Sequence, residues 1–541
     1  MKLFSFLNKN KIKFTYISKC DIIMKIIYCI LEEEIMNKKL LVSSLVLPML
    51  FLSCGQEEKK IEKKDTLIVA QGADARSLDP QKAIDTPSVR VYQQVYDELV
   101  EKDDNLNIIP GLAESWENID EKTTIFHLRK DVKFHNGEKL TAEDVKFSIE
   151  RMKEQPTVAF LVTEIEKIEV IDEYTVKVIT KSGFGPLLSH LSHPGAAILN
   201  KKAVLEKGDS YGQHPIGTGP YVFENWQSGD RVTLKANPDY FMGKTPVENV
   251  IFRVIPEGTN RSIALETKEV DIVYEIDPID IDRIKENGEF NFLMQQSLGN
   301  AYIGINTLKE PFTNPKVRQA MAYAINTQDL IDVVYKKTAS KANAPIGPLV
   351  PGYNEKAKNY EYNIEKAKEL MKEAGYPNGF KTTIWVNDNN IRKDIATILQ
   401  DQFRAIGIDL TIETLEWGAY IDRTARGEHE MFLLGWVTVT GDADYGLYPL
   451  FHTSAHGRPG NRSFYSNPEV DKLLDFARTS TNQAERMEAY KKVQEIVQED
   501  LPIITLVNQS QNVATQKDIE NFTINPTGFY ELYNVNFSEN K

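Results

Sequence analysis

Residues 431–451 read MFLLGWVTVTGDADYGLYPLF. Two carboxylates two residues apart, Asp442 and Asp444, stand between Gly441 and Gly446, with Trp436, Tyr445 and Tyr448 around them. Carboxylates beside flat apolar rings suit a cleft ligand with an ammonium group. The cation meets the charge, and the rings exclude water around the pair. The same residues also make turns, because Asp in a glycine-rich loop hydrogen-bonds its own backbone. A calcium loop does not fit, since the glycine and glutamate of an EF-hand are not at its spacing. Arg392 lies in the segment NDNNIR, where a strand feeds a helix. That position faces the ligand crevice in many α/β lobes, and a guanidinium there suits a ligand carboxylate. An ordinary helix-surface arginine is the other reading.

A catalytic constellation is absent from the sequence. The string GDSYG at 208–212 has the letters GxSxG but follows the charged run KKAVLEK rather than a strand, so it is no nucleophile elbow, and there is no HExxH. The segment HPIGTGPY at 214–221 lacks the GK[ST] ending of a phosphate loop and the GxGxxG of a dinucleotide site. His452 and His456 are four apart, but FHTSAHGRPG is a Ser/Gly-rich loop, so helical ligand spacing does not apply. The three cysteines are Cys20, Cys29 and Cys54. The body after Cys54 therefore has no disulfide, no thiol nucleophile and no Cys-ligated zinc. The expectation is a non-enzyme with no resident cofactor and no metal site.

The elements that position these residues follow from periodicity. Met431–Leu434 is a short apolar run and reads as a buried strand, followed by a loop through Gly446. Lys381–Val386 (strand), 392–406 (helix) and Asp409–Thr414 (strand) alternate as βαβ, which implies a largely parallel α/β lobe. Ala301–Asn306 is a strand and opens that region. Earlier in the chain, Thr66–Ala70, Thr124–Leu128, Thr175–Thr180, Tyr221–Trp226 and Arg231–Ala236 read as strands. Ser88–Val100 has apolar residues at helical spacing. Thr141 with Asp144 resembles a capping box ahead of a helix over Ala142–Met152. Asn467–Arg478 and Asn482–Asp500 are helices, and Leu501–Val507 is a late strand.

The chain has 541 residues, 41% hydrophobic and 26% charged, with a formal net charge of −14. That is too long for one core, so about two to four domains are expected. The acidic balance argues against nucleic acid as a partner. Met36 opens MNKKLLVSSLVLPMLFLSCG, with a two-lysine start and an apolar stretch over Leu40–Leu52 that is too short for an ordinary span. This looks like a bacterial lipoprotein signal with Cys54 as the lipidated residue, although Phe51 stands where Leu is usual. Residues 1–35 do not fit a leader, and translation is expected to start at Met36. Residues 54–65 form a polar tether. From Cys54 onward the net charge is −18.

In order along the chain, PGLAESW at 110–116, TIFHLRKDVKFHNGEKLTAEDVKFSIER at 124–151, HPIGTGPY at 214–221, GINTLKEPFTNPKVRQAMAYAI at 304–325 and GYPNGF at 375–380 resemble the family 5 extracellular solute-binding proteins of peptide-type ABC importers. The likeness implies an α/β, two-lobed periplasmic-binding-protein (flytrap) fold with an extra inserted subdomain in the first lobe. The first lobe would take 66–298, with the insertion at about 97–211, and the chain end 508–541. The second would take 299–507. Dipeptide binders of the family place an Asp three residues after the motif Trp to hold the ligand α-ammonium; here that residue is Val439. TGDADYGLYPLF at 440–451 instead resembles the glutathione-binding branch, with Asp442, Asp444 and Tyr445 on its pattern.

The expected function is therefore a lipid-anchored, monomeric binding component in the cell envelope. It would capture glutathione or a short peptide with Trp436, Asp442, Asp444, Tyr445 and Arg392 and pass it to an ABC permease with separate ATPase subunits. A general dipeptide or oligopeptide binder is the alternative. A nickel or haem carrier of the same fold, or a secreted hydrolase, comes after it.

Overall fold

The computed structural model describes residues 64–538 apart from Pro459. The expected signal, tether and lipidation site at Cys54 lie outside the described residues. One eleven-stranded mixed sheet runs through the described body. In chain order its main strands are β1 (Thr66–Gln71), β2 (Tyr221–Gln227), β3 (Arg231–Ala236), β4 (Asn249–Val254), β5 (Ile272–Tyr274), β6 (Phe290–Ile305), β7 (Lys381–Asn387), β8 (Asp409–Leu415), β9 (Met431–Val437) and β10 (Ile503–Gln516). Their order across the sheet is β8-β7-β9-β6-β10-β5-β1-β4-β3-β2, and Ser340–Lys341 pairs with β10.

β6 and β10 are long, and they alone tie the two halves of this sheet together. They pair antiparallel, with a register shift between Gln296 and Asn300 opposite Ser510 and Asn508. A bulge there bends the pair. Gly299 sits inside it, where a Cβ would lie 2.8 Å from Val437 Cγ2. On one side β9, β7 and β8 continue the sheet, and β7 is parallel to both β8 and β9. The expected parallel βαβ unit is present there, with the helix Asn390–Arg404 as its crossover. The strands around it, β6 and β10, run antiparallel.

Burial follows the pleat. In β9, Met431 and Leu433 enter one core with Ile303, Ile384, Leu399 and Phe403. Phe432 and Leu434 enter another with Tyr302, Trp385, Tyr420 and Leu447. A strand buried on both faces reads as a continuous apolar run rather than an alternating one.

A separate four-stranded antiparallel sheet forms the subdomain, in the order Ala113–Asn118, Thr123–Leu128, Thr175–Thr180, Ile165–Asp172. The helix Ala142–Lys153 follows the predicted cap, with the Thr141 amide donating to Asp144 Oδ2 at 3.1 Å. The helix predicted over Ser88–Val100 is shorter: α1 spans Thr86–Tyr92. The carbonyls of Gln94 and Val95 are instead taken by the amides of Tyr221 and Gly219, each at 2.9 Å. The glycines of HPIGTGPY permit this approach. A Cβ on Gly217 would meet the Val95 carbonyl oxygen at 2.0 Å. The glycine-rich segment is thus a packing device.

Candidate functional site

Between the two halves of the sheet lies a cleft of two adjoining chambers, of about 140 and 190 Å³. They share Thr86, Arg392, Leu434, Gly435 and Val437. The outer chamber is walled by Trp417, Trp436, Tyr445 and Phe529, and carries Arg76, Arg392, Arg458 and Arg462 with one carboxylate, Asp85. The inner chamber, toward the bulge in β6 and β10, carries Arg90, Arg261 and Arg392 with Glu275 and Asp277.

Three of the predicted contacts line this cleft. Trp436 is the last residue but one of β9, and its Nε1 donates to the Tyr445 carbonyl at 2.9 Å. With the donor spent, its ring presents an apolar face to the cleft. The Tyr445 ring tilts against it at 5.3 Å between centroids. The Tyr445 hydroxyl lies 3.0 Å from His193 Nε2 in the inserted subdomain. His193 Nδ1 accepts the Gly195 amide at 2.8 Å, which places the ring proton on Nε2, donating to Tyr445. Burial holds His193 well below its usual pKa, with the charges of Lys102 and His190 adding to the effect, so the ring is neutral. Arg392 borders both chambers. Asn387 accepts a hydrogen bond from its guanidinium, which lies 5.6 Å from the Trp417 ring.

Asp442 and Asp444 are placed elsewhere. The segment read as loop is already helical from Ala443: a helix spans Ala443–Phe451, and Asp442 caps it by accepting the Asp444 amide at 2.9 Å. Both Asp442 carboxylate oxygens accept from Arg486 Nη2 at 2.8 Å. Asp444 is 0% exposed. It takes Arg478 Nε at 3.1 Å and Nη2 at 2.6 Å, and His190 Nε2 lies 2.9 Å away. Burial alone would raise the Asp444 pKa. Arg478 and His190 outweigh it and hold the carboxyl well below the usual range. Neither carboxylate borders the two chambers. Their charges are spent on arginines, because a buried carboxylate needs a partner.

The sequence reading missed several lining residues. Arg76 lies in a segment read as a turn; its Nη2 donates to Asp422 Oδ1 at 2.6 Å across the cleft mouth. Asp85 Oδ2 accepts from Ser88 Oγ at 3.0 Å and from Trp417 Nε1 at 3.2 Å. Arg458 belongs to FHTSAHGRPG, where the histidines drew attention. Those histidines make local contacts: His452 Nδ1 to Ser454 Oγ at 2.7 Å, and His456 Nε2 to the Tyr465 carbonyl at 2.9 Å. Among the described residues no three His, Cys, Asp or Glu side chains converge into a metal cage.

Comparison with known proteins agrees with this architecture. The profile of the bacterial extracellular solute-binding proteins, family 5 Middle, matches residues 107–458. The glutathione-binding protein of Pectobacterium atrosepticum is 32% identical over 87% of this chain and 94% of its own. Heme-binding protein A of Haemophilus influenzae is 30% identical over 89% and 94%. The ABC transporter-associated periplasmic binding protein DppA of Helicobacter pylori, solved with the peptide STSA, superposes with a TM-score of 0.84 at 32% identity, covering 88% of this chain and 99% of that one. With its two-part sheet, its inserted subdomain and a cleft between the halves, the chain belongs to the bacterial extracellular solute-binding proteins of family 5.

Proposed function

We propose that this protein captures short peptides with surplus carboxylates, glutathione among them, for an ABC importer. The observation that carries the reading is the charge of the cleft. Six arginines line it (Arg76, Arg90, Arg261, Arg392, Arg458 and Arg462), against three lining carboxylates (Asp85, Glu275 and Asp277) and Asp422 at the mouth, which pairs with Arg76 and Arg458. The chain as a whole is strongly acidic, so this local excess of positive charge is built against the background. Guanidiniums recognise carboxylates with two parallel hydrogen bonds, and Trp436 and Tyr445 supply faces for the ligand backbone. Glutathione has two carboxylates and one ammonium, which fits that balance. The lobes 66–298 with 508–541 and 299–507 would open by bending at the bulge in β6 and β10. A ligand bridging both lobes would stabilise the closed state by differential affinity. Cys54 would anchor the protein through lipid beside its permease.

Thermal unfolding against glutathione, acidic and neutral di- to pentapeptides, haem and nickel tests this. A ligand that binds only the native state raises the midpoint. Glutathione and acidic peptides should raise it, and Arg392→Ala should weaken them at least tenfold. Equal shifts with neutral peptides would make the protein a general peptide carrier. A shift with haem or nickel alone would remove the peptide reading.

A further inference from the structure

We infer that Glu275 holds the ammonium group of the ligand, and that the inner chamber therefore takes the ligand's free amino-acid end. This rests on the peptide reading above and fixes the orientation of the ligand within it.

The family's usual acceptor position is occupied by Val439, which is buried and carries no charge. Asp442 and Asp444 are bonded to Arg486 and Arg478. Asp85 has a side chain only 6% exposed. Its Oδ2 already accepts two hydrogen bonds, and its Oδ1 lies 3.6 Å from Arg76 Nη1. Asp277 is occupied in its own turn, with Oδ1 accepting the Ile279 amide at 3.2 Å. Glu275 is ion-paired too, but it is the most open of these carboxylates. Its side chain is 49% exposed and lines the inner chamber. Among the described residues its one side-chain hydrogen bond comes from Arg90 Nη2 to Oε1, at 3.0 Å. Enclosure pushes its carboxyl up, but the Arg90 and Arg261 guanidiniums more than offset that and hold it below the usual range, so it is ionised.

The backbone supports the same reading. Glu275 follows β5 with φ = 60°. A residue with a Cβ rarely adopts that conformation, and its strain persists where the surrounding structure holds it. Of the eight described non-glycine residues at positive φ, Glu275 alone lines the cleft. Arg261 helps to hold it there, donating through Nη2 to the Glu275 carbonyl at 2.9 Å. Arg392 borders the same chamber from the other lobe. A carboxylate and a guanidinium lining one small chamber match the ammonium and carboxylate that a γ-glutamyl residue carries on one α-carbon.

The test is calorimetric titration of wild type, Glu275→Gln and Glu275→Gly with glutathione and with N-acetylglutathione, which lacks the ammonium charge. Thermal midpoints are measured alongside. Glu275→Gln should weaken glutathione at least tenfold and leave the N-acetyl compound within about twofold. Glu275→Gly, freed of the left-handed penalty, should melt no lower than wild type yet bind glutathione as weakly as Glu275→Gln. Tight glutathione binding by wild type and by both variants would overturn the assignment while leaving the peptide reading intact. Equal weakening of both ligands, with a lowered midpoint, would make Glu275 a structural partner of Arg90 and also overturn it. A wild-type protein that binds no ammonium-bearing peptide would overturn both readings.

Discussion

The arginines at 478 and 486 are almost wholly buried, and each is matched to one carboxylate of the DAD segment. Arg478 also donates to the Phe160 carbonyl at 3.0 Å, and its guanidinium carbon lies 3.4 Å from the Tyr448 ring centroid. Removing one partner of such a group leaves a buried charge uncompensated, at a cost of roughly 3–5 kcal/mol. Asp444→Ala should therefore lower unfolding stability by about that much in denaturant titration. A loss below about 1 kcal/mol would mean that the pair contributes little. His429 gives a second residue-scale expectation. It is buried against Phe432 and Trp385. Burial lowers its pKa from 6.5 to about 3. Between those values the unfolded chain binds the extra proton and the folded one does not, so stability falls as pH drops through that window. His429→Leu should flatten the acid side of the midpoint-against-pH curve between about pH 6 and 4 and leave it unchanged above pH 7. An unaltered acid limb would exclude the residue as a source of acid lability.

At the scale of elements, the helix Ala443–Phe451 is held by its first residues. It is buried throughout and contains Pro449, so its N-terminus rests on the Asp442 cap. Asp442 does two things: its oxygen receives an amide, and its charge meets Arg486. Asparagine keeps the acceptor and loses the charge; alanine loses both. Asp442→Ala should therefore be less stable than Asp442→Asn by about 1 kcal/mol, the usual worth of an N-cap. Equal stabilities would show that the charge pair alone matters. The same helix aims Tyr445 at the cleft, so its start position sets one wall of the site.

For the molecule as a whole, the two lobes are in contact in this structure. Arg76 reaches Asp422, Trp417 reaches Asp85, and Tyr445 meets His193. Each contact spans the cleft, so a hinge opening that parts the lobes would break it. Tyr445→Phe removes one such hydrogen bond, worth about 1 kcal/mol, and keeps the ring. It should shift the ligand-free population toward an open form, read as an increased radius of gyration in X-ray scattering. Ligand affinity should fall severalfold, because a smaller fraction is poised to bind. An unchanged radius and affinity would mean that closure does not depend on this bond.

Local signals carried much of the architecture. The run MFLL, the cap before Ala142 and the βαβ alternation near 381–414 each arise from neighbours within a turn or a pleat, and they stand in the structure as read. Trp436 and Arg392 were legible as cleft-lining residues because they lie near the end of a strand and the start of a helix, and Tyr445 because it stands in the glycine-bounded aromatic segment that follows the strand. The fate of Asp442 and Asp444 was not legible. Their partners lie 44 and 34 residues further on, in helices that pack on this segment only in the folded chain. A buried carboxylate and a ligand-binding one look alike in sequence, because both are an Asp beside aromatics. Which of them faces water is decided by where distant arginines come to rest. Glu275 shows the converse. An unremarked glutamate after a three-residue strand gains its place in the cleft from a left-handed backbone and two arginines brought to it by the fold.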